Sequence, residues 1–151
     1  MAELKKARSV LAVRDLRASV AFYCENLGFA INAEFDGWCF LSRDGIQLML
    51  GHCPNEIPAS QINDHSYFAY IEVQGVDGLH REFLDRGLKS FSAPESKPWG
   101  MREFMVTTPD GHRIMFGEDV DSPQLASGEN AAEPSAGAGL RIMPRSPSAT
   151  R

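Results

Sequence analysis

The chain has 151 residues and a formal net charge of -5, and its length gives room for one ordinary domain or two small half-domains that share a core. The negative charge disfavours binding to a phosphate backbone. The first apolar run is cut short by Arg14 and Asp15, so it is neither a signal peptide nor a membrane span. Three cysteines, Cys24, Cys39 and Cys53, lack the paired spacing of zinc or redox motifs. We therefore expect a reduced, cytoplasmic protein that binds neither nucleic acid nor membrane.

The first half of the chain predicts one strand, one helix and three further strands. The helix begins after Asp15, whose carboxylate can cap the free amides of the first turn, and Gly28 ends it. The pair Asp44-Gly45 between two apolar runs is a strong hairpin signal. The predicted strands of this half cover residues 9–13, 31–35, 38–42 and 46–50.

The second half predicts the same order of elements. A strand precedes a helix that ends at Gly87, an extended piece lies near Ser90, and a second hairpin turns at Asp110-Gly111. This repeat predicts an α+β protein made of tandem βαβββ modules. The predicted boundaries are module one at 5–52, a polar linker at 53–66, module two at 67–118 and a disordered tail, rich in Ala, Ser, Gly and Pro, at 119–151.

The first hairpin has two faces of different chemistry if Asp44-Gly45 forms a two-residue loop. Alternation then places Ser42 opposite Gln47 and Phe40 opposite Met49. The face that carries Trp38, Phe40, Gln47 and Met49 is aromatic and polar together, which suits contact with a small molecule. The alternative is that these aromatic side chains only fill a core or a dimer interface.

The same alternation in the second module assigns more side chains to such a face. It places Phe68, Tyr70 and Glu72 together on the first strand of that module, with Met115 on the last. Both modules are therefore predicted to offer a concave face of mixed character.

Three segments together resemble the vicinal-oxygen-chelate superfamily, the glyoxalase/bleomycin resistance protein/dioxygenase family. They are VRDLRASVAFYCENLGF (13–29), GWCFLSRDGIQLML (37–50) and PWGMREFMVTTPDGHRIMFGE (98–118), and within the family they are most similar to bleomycin resistance proteins. The resemblance implies paired curved sheets, a homodimer and a ligand cleft. It further implies antibiotic resistance by sequestration of a drug.

Metal-dependent members such as glyoxalase I supply four ligands, one from the first and one from the last strand of each module. Carried onto this chain by the resemblance, those positions are Arg8, Gln47, Phe68 and Met115. A guanidinium is cationic, a phenyl ring cannot donate, and a thioether is too soft for metals that prefer oxygen and imidazole ligands. The resemblance therefore implies a metal-free, cofactor-free protein.

We accordingly expect a small-molecule binding protein that holds an aromatic or cationic antibiotic-like ligand in a dimer cleft. Trp99, on a loop next to Gly100, is expected to close over the ligand, and Arg102 either contacts the ligand or pairs with Glu103 or Glu118. The predicted ligand-binding residues are Trp38, Phe40, Gln47, Met49, Phe68, Tyr70, Trp99, Arg102 and Met115.

The alternative function is a glyoxalase-like lyase, isomerase or dioxygenase with a non-standard or displaced metal site. Such a site would need Glu72, Glu118 or a histidine, and a lone carboxylate gives general-base catalysis little support. The residues predict no catalytic pair of acid and base groups, so binding is favoured over catalysis.

Overall fold

The computed structural model describes residues 1–121, so the predicted tail lies outside the described residues from position 122 onward. The described chain forms two four-stranded sheets with strand orders β1-β4-β3-β2 and β5-β8-β7-β6. In both sheets the first strand of the module pairs in parallel with the last, which confirms the predicted α+β arrangement of tandem βαβββ modules. The elements are β1 Ser9–Val13, α1 Leu16–Ala21, β2 Ala30–Phe35, β3 Trp38–Arg43, β4 Ile46–His52, β5 Tyr67–Glu72, α2 Val76–Asp85, β6 Glu95–Ser96, β7 Met101–Thr107 and β8 Arg113–Asp119.

The first helix begins and ends where the sequence predicts, but its hydrogen bonding changes along the way. The Asp15 carboxylate accepts the backbone N–H of Ala18 at 2.9 Å, as expected of a helix cap. The α-helical part stops at Ala21 and widens into a π-helical turn over Phe22–Asn26. Gly28 then reverses the chain with φ +71°, a backbone conformation that glycine adopts at low cost.

The first hairpin has the predicted register. Asp44 and Gly45 form a two-residue loop, and Ser42 pairs with Gln47 and Phe40 with Met49. The side chains of Leu48 and its helix-facing neighbours are buried, so the opposite side of this sheet carries the predicted aromatic residues.

The second module departs from the prediction in its edge strand. The extended piece near Ser90 forms only an isolated bridge between Phe91 and Val106, and the paired edge strand is the short β6. The helix α2 starts one turn after β5, and both oxygens of the Glu118 carboxylate accept the N–H groups of Gly75 and Val76 at 2.8 and 3.0 Å. A side chain from β8 therefore caps α2, because Gly75 has none to offer.

The two modules share one hydrophobic core, which lies on the helix-facing sides of both sheets. Tyr23 and Leu27 from the first helical segment belong to the same cluster as Phe83 of α2 and Phe104 of β7. None of the helices in residues 1–121 is long and apolar enough to cross a membrane. The opposite faces of the sheets remain outside this core.

Polar contacts join the modules at the rim of the core. The buried Asp110 carboxylate accepts the backbone N–H of Arg14 at 3.0 Å and the hydroxyl of Ser19 at 3.2 Å. On the other side, the guanidinium of Arg43 donates to Glu82 at 2.9 Å and to the carbonyl oxygen of Leu27. The turn after β7 and the helix α2 are thereby fixed against the first module.

We predict that Asp110→Asn lowers the free energy of unfolding by about 1–3 kcal/mol. The Asp110 carboxylate accepts hydrogen bonds from two donors, whereas the NH₂ group of asparagine cannot accept a hydrogen bond and would face one of these donors. The measurement is urea denaturation at neutral pH. The matched control is Asp44→Asn in the other Asp-Gly turn, where the side chain is 91% exposed and φ is +50°, a conformation that asparagine tolerates. Equal effects of the two substitutions would contradict the role assigned to Asp110.

Candidate functional site

The first open face is the side of the first sheet that points away from α1. Phe40 lies at its centre, with the Arg8 guanidinium 5.6 Å above its ring and Phe35 edge-on at 5.5 Å. Three apolar side chains of this face are well exposed: Val10 at 58%, Phe35 at 64% and Trp38 at 39%. The register places these residues on it: Val10, Ala12, Ala33, Phe35, Trp38, Phe40, Gln47, Met49 and Gly51.

Two features of this face are the tight packing of Trp38 and the incomplete hydrogen bonding of Gln47. The indole of Trp38 lies against Gly51, where an added Cβ would approach its Cη2 and Cζ3 atoms to 2.9 Å. The side-chain oxygen of Gln47 is buried without a hydrogen-bond partner. An unpartnered buried amide oxygen is unfavourable unless a donor from outside reaches it. The hydrogen bonding of the Gln47 side chain is therefore incomplete within the described chain, which makes it a candidate site residue.

The second open face is the side of the second sheet that points away from α2. Tyr70 donates its hydroxyl to the Glu103 carboxylate at 3.0 Å, and its ring crosses Gly117. Arg113 stacks on the Tyr67 ring at 6.0 Å. The register places these residues on it: Tyr67, Tyr70, Glu72, Glu103, Met105, Arg113, Met115 and Gly117.

Both tyrosines of the second open face have a raised pKa. Burial raises the pKa of Tyr70, and the hydrogen bond to Glu103 raises it further. Burial and the charge of Glu103 raise the pKa of Tyr67 to about 12 against the opposing effect of Arg113. Both phenols are therefore neutral donors at physiological pH.

The structure corrects the predicted position of two site residues. A register shift between Tyr67 and Ala69 turns Phe68 off the second open face, and its ring packs against the core and His112. Arg102 lies on the helix side of β7, where its guanidinium forms a bidentate pair with Asp77 at 2.8 and 2.9 Å. The expected partners Glu103 and Glu118 do not bind it.

Trp99 lies at the turn between β6 and β7. The turn is closed by a bond from the Gly100 amide to the Lys97 carbonyl at 3.1 Å, and Val120 donates to Gly100 at 3.0 Å. The indole is 50% exposed. Among residues 1–121, no ring contact ties this tryptophan to the open faces, so its role as a lid remains a prediction.

The four positions that the resemblance implies for metal ligands are not equivalent in the two modules. In the second module, Met115 pairs with Tyr70. The equivalent pair in the first module is Met49 with Val10. Met49 lies two residues after Gln47, and Val10 lies two residues after Arg8. Two thioethers, an isopropyl group and a protonated phenol are poor ligands for metals that prefer oxygen and imidazole. In the described part of the chain, no group of three His, Cys, Asp or Glu side chains is placed to hold a metal ion.

A cavity of about 340 Å³ lies between the modules, but none of the nine predicted site residues lines it. It opens beside Arg43 and Glu72, and its walls include Phe29, Phe83 and Phe116. The Arg43 guanidinium is already bound to Leu27 and Glu82. We therefore place the candidate site on the open faces, where Gln47 and Glu103 have unfilled bonding capacity.

Sequence reasoning missed Glu103, Tyr67 and the two close approaches at Gly51 and Gly117. One signal was available: both glycines stand six residues after the glycine of an Asp-Gly pair. Equal spacing in a repeat indicates the same structural demand in both copies. Here that demand is room for an aromatic side chain across the last strand.

We predict that Gly51→Ala displaces the Trp38 indole and shifts its emission, because the new methyl group would lie 2.9 Å from two ring atoms. The measurement is steady-state fluorescence in a Trp99→Phe background, in which Trp38 is the remaining tryptophan of the chain. Gly45→Ala is the matched control, because a Cβ there meets nothing within 4 Å. The same spectrum for both variants would contradict the packing of Trp38 on Gly51.

Comparison with known proteins identifies the family. The Glyoxalase/Bleomycin resistance protein/Dioxygenase superfamily matches residues 7–116. A bleomycin resistance protein of Geobacillus stearothermophilus is 30% identical over 125 residues, 74% of this chain and 95% of that protein. A bleomycin-binding protein complexed with bleomycin has the same fold, with a TM-score of 0.65 and 24% identity over 76% of this chain and 98% of its own.

A second solved structure extends the comparison. The bleomycin-binding protein of bleomycin-producing Streptomyces verticillus, complexed with copper(II)-bleomycin, aligns with a TM-score of 0.61. It is 26% identical over 77% of this chain and 97% of its own length. The chain is thus a member of the Glyoxalase/Bleomycin resistance protein/Dioxygenase superfamily.

Proposed function

We propose that this protein binds a bleomycin-like drug, or another planar aromatic or cationic antibiotic, and sequesters it without chemical change. The observation that carries the proposal is the row of exposed Phe35 and Trp38 with half-buried Phe40 on the first open face. Exposed aromatic side chains on a rigid sheet offer flat apolar area for a planar ligand at low entropic cost. The similarity to proteins named for bleomycin resistance and bleomycin binding supports a drug as the ligand.

A homodimer would complete the site. Within residues 1–121, no hydrogen bond or ring contact joins a side chain of the first open face to one of the second. A second copy of the chain that sets its second open face against the first open face would enclose a ligand between aromatic and polar walls. The cleft would remove exposed apolar area from water, which favours association.

Trp99 is assigned to the rim of this cleft. Its indole projects from a tight turn that Gly100 makes possible with φ +86°. Tryptophan on an otherwise exposed turn is a common source of binding energy once a partner buries it. Closure over the ligand would bury the exposed half of the side chain.

We predict that bleomycin binds with a saturable heat signal in titration calorimetry and that Trp99→Ala weakens binding about tenfold or more, equivalent to about 1.4 kcal/mol. Calorimetry is preferred because the substitution removes one of two tryptophans and so alters fluorescence directly.

The matched control is Leu84→Ala on α2, because Leu84 is equally exposed at 50% but lies on the helix side of the second sheet. Its affinity should equal that of the unsubstituted protein. No saturable signal at high micromolar bleomycin would exclude that drug as the ligand. Equal affinity of the two variants would remove Trp99 from the site.

A further inference from the structure

A carboxylate is buried on the second open face. Glu103 is 6% exposed, although its neighbour Phe104 faces the core and the alternation of β7 turns Glu103 to the opposite side. Within residues 1–121, its side chain accepts one hydrogen bond, from Tyr70, whose hydroxyl lies where a Cβ on Gly117 would stand. The pair is therefore fixed in place over a glycine that no larger residue can replace without moving it.

No cation within residues 1–121 forms a salt bridge with this carboxylate. Arg102, next in the chain, crosses to the helix side and pairs with Asp77. Arg113 donates to the Ser66 hydroxyl at 2.8 Å and to the Asn63 carbonyl at 3.0 Å. A buried carboxylate with a single neutral donor is unfavourable unless a positive group completes its bonding.

The carboxylate also remains within reach of a ligand. The side-chain atoms that are both sealed from the surface and unpartnered in the described chain belong to Tyr23 and Gln47. The second oxygen of Glu103 is not among them, so it keeps contact with the surface. Met105 and Met115 pair beside it on the same face, and their thioethers adapt to flat apolar groups.

We infer that Glu103 and Tyr70 form a subsite for the cationic group of an aromatic ligand, namely an amidinium, a guanidinium or a protonated amine. The inference rests on the proposed function in placing the ligand on the open faces. The carboxylate accepts a charge-assisted hydrogen bond, the Tyr70 hydroxyl holds it in position, and the methionines contact the aromatic body. The subsite thereby selects charged ligands over neutral ligands of the same shape.

The test compares benzamidinium with benzamide, two probes of nearly equal shape that differ in charge. We expect calorimetry to show that the unsubstituted protein binds benzamidinium about tenfold or more tightly than benzamide, a difference of about 1.4 kcal/mol. Glu103→Gln keeps an oxygen that accepts from Tyr70 but removes the charge. It should reduce the preference to about twofold or less.

The matched control is Glu56→Gln, which removes the same charge at an exposed position in the linker, outside both open faces. It should leave the preference intact. A second measurement separates recognition from a structural role: the free energy of unfolding of Glu103→Gln should not fall, because an uncompensated buried charge is lost and the Tyr70 bond is kept.

Four results would overturn the subsite. They are equal affinity of the two probes, no binding of benzamidinium at about 10 mM, equal loss of preference in both variants, and clear destabilisation by Glu103→Gln. Bleomycin titration is run in parallel. Failure of bleomycin to bind while the charge preference persists would reject bleomycin as the ligand and retain the subsite.

Discussion

The buried carboxylate of Asp110 holds the turn of the second hairpin against the first helix, and the placement of both open faces depends on it. It accepts an N–H from Arg14, at the end of β1, and a hydroxyl from Ser19 in α1. The backbone carbonyl of the same residue accepts the Ser60 amide at 3.0 Å, so the linker is fixed at the same point. One turn thus positions the first strand, the first helix and the linker relative to β8.

The two modules use the same frame for different chemistry. Strand pairing equates Trp38 with Glu103, since each lies opposite the glycine of the last strand. By the same pairing Phe40 corresponds to Met105, and Val10 to Tyr70. The first face is therefore aromatic and the second carries charge and hydroxyl groups. A ligand held between the two faces of a dimer would meet both kinds of surface.

Local signals in the sequence were sufficient for the elements and for the first register. Asp15, Asp44-Gly45 and the helix-ending glycines act within a few residues, and the structure confirms them. The displacement of Phe68 was not predictable, because strict alternation assumes no bulge. The pairing of Arg102 with Asp77 and the burial of Glu103 depend on contacts 25 and 33 residues apart, which no local pattern encodes.

The close approach of an aromatic ring to Gly51 and to Gly117 limits how this protein can diverge. Any side chain at either position would displace the ring that crosses it, so substitution of either glycine is disfavoured while that ring is present. The positions opposite them, Trp38 and Glu103, carry no such backbone constraint. New ligand preferences should therefore arise first by exchange at position 103, where the Tyr70 ring still constrains Gly117, whereas exchange of Trp38 would also release the constraint on Gly51.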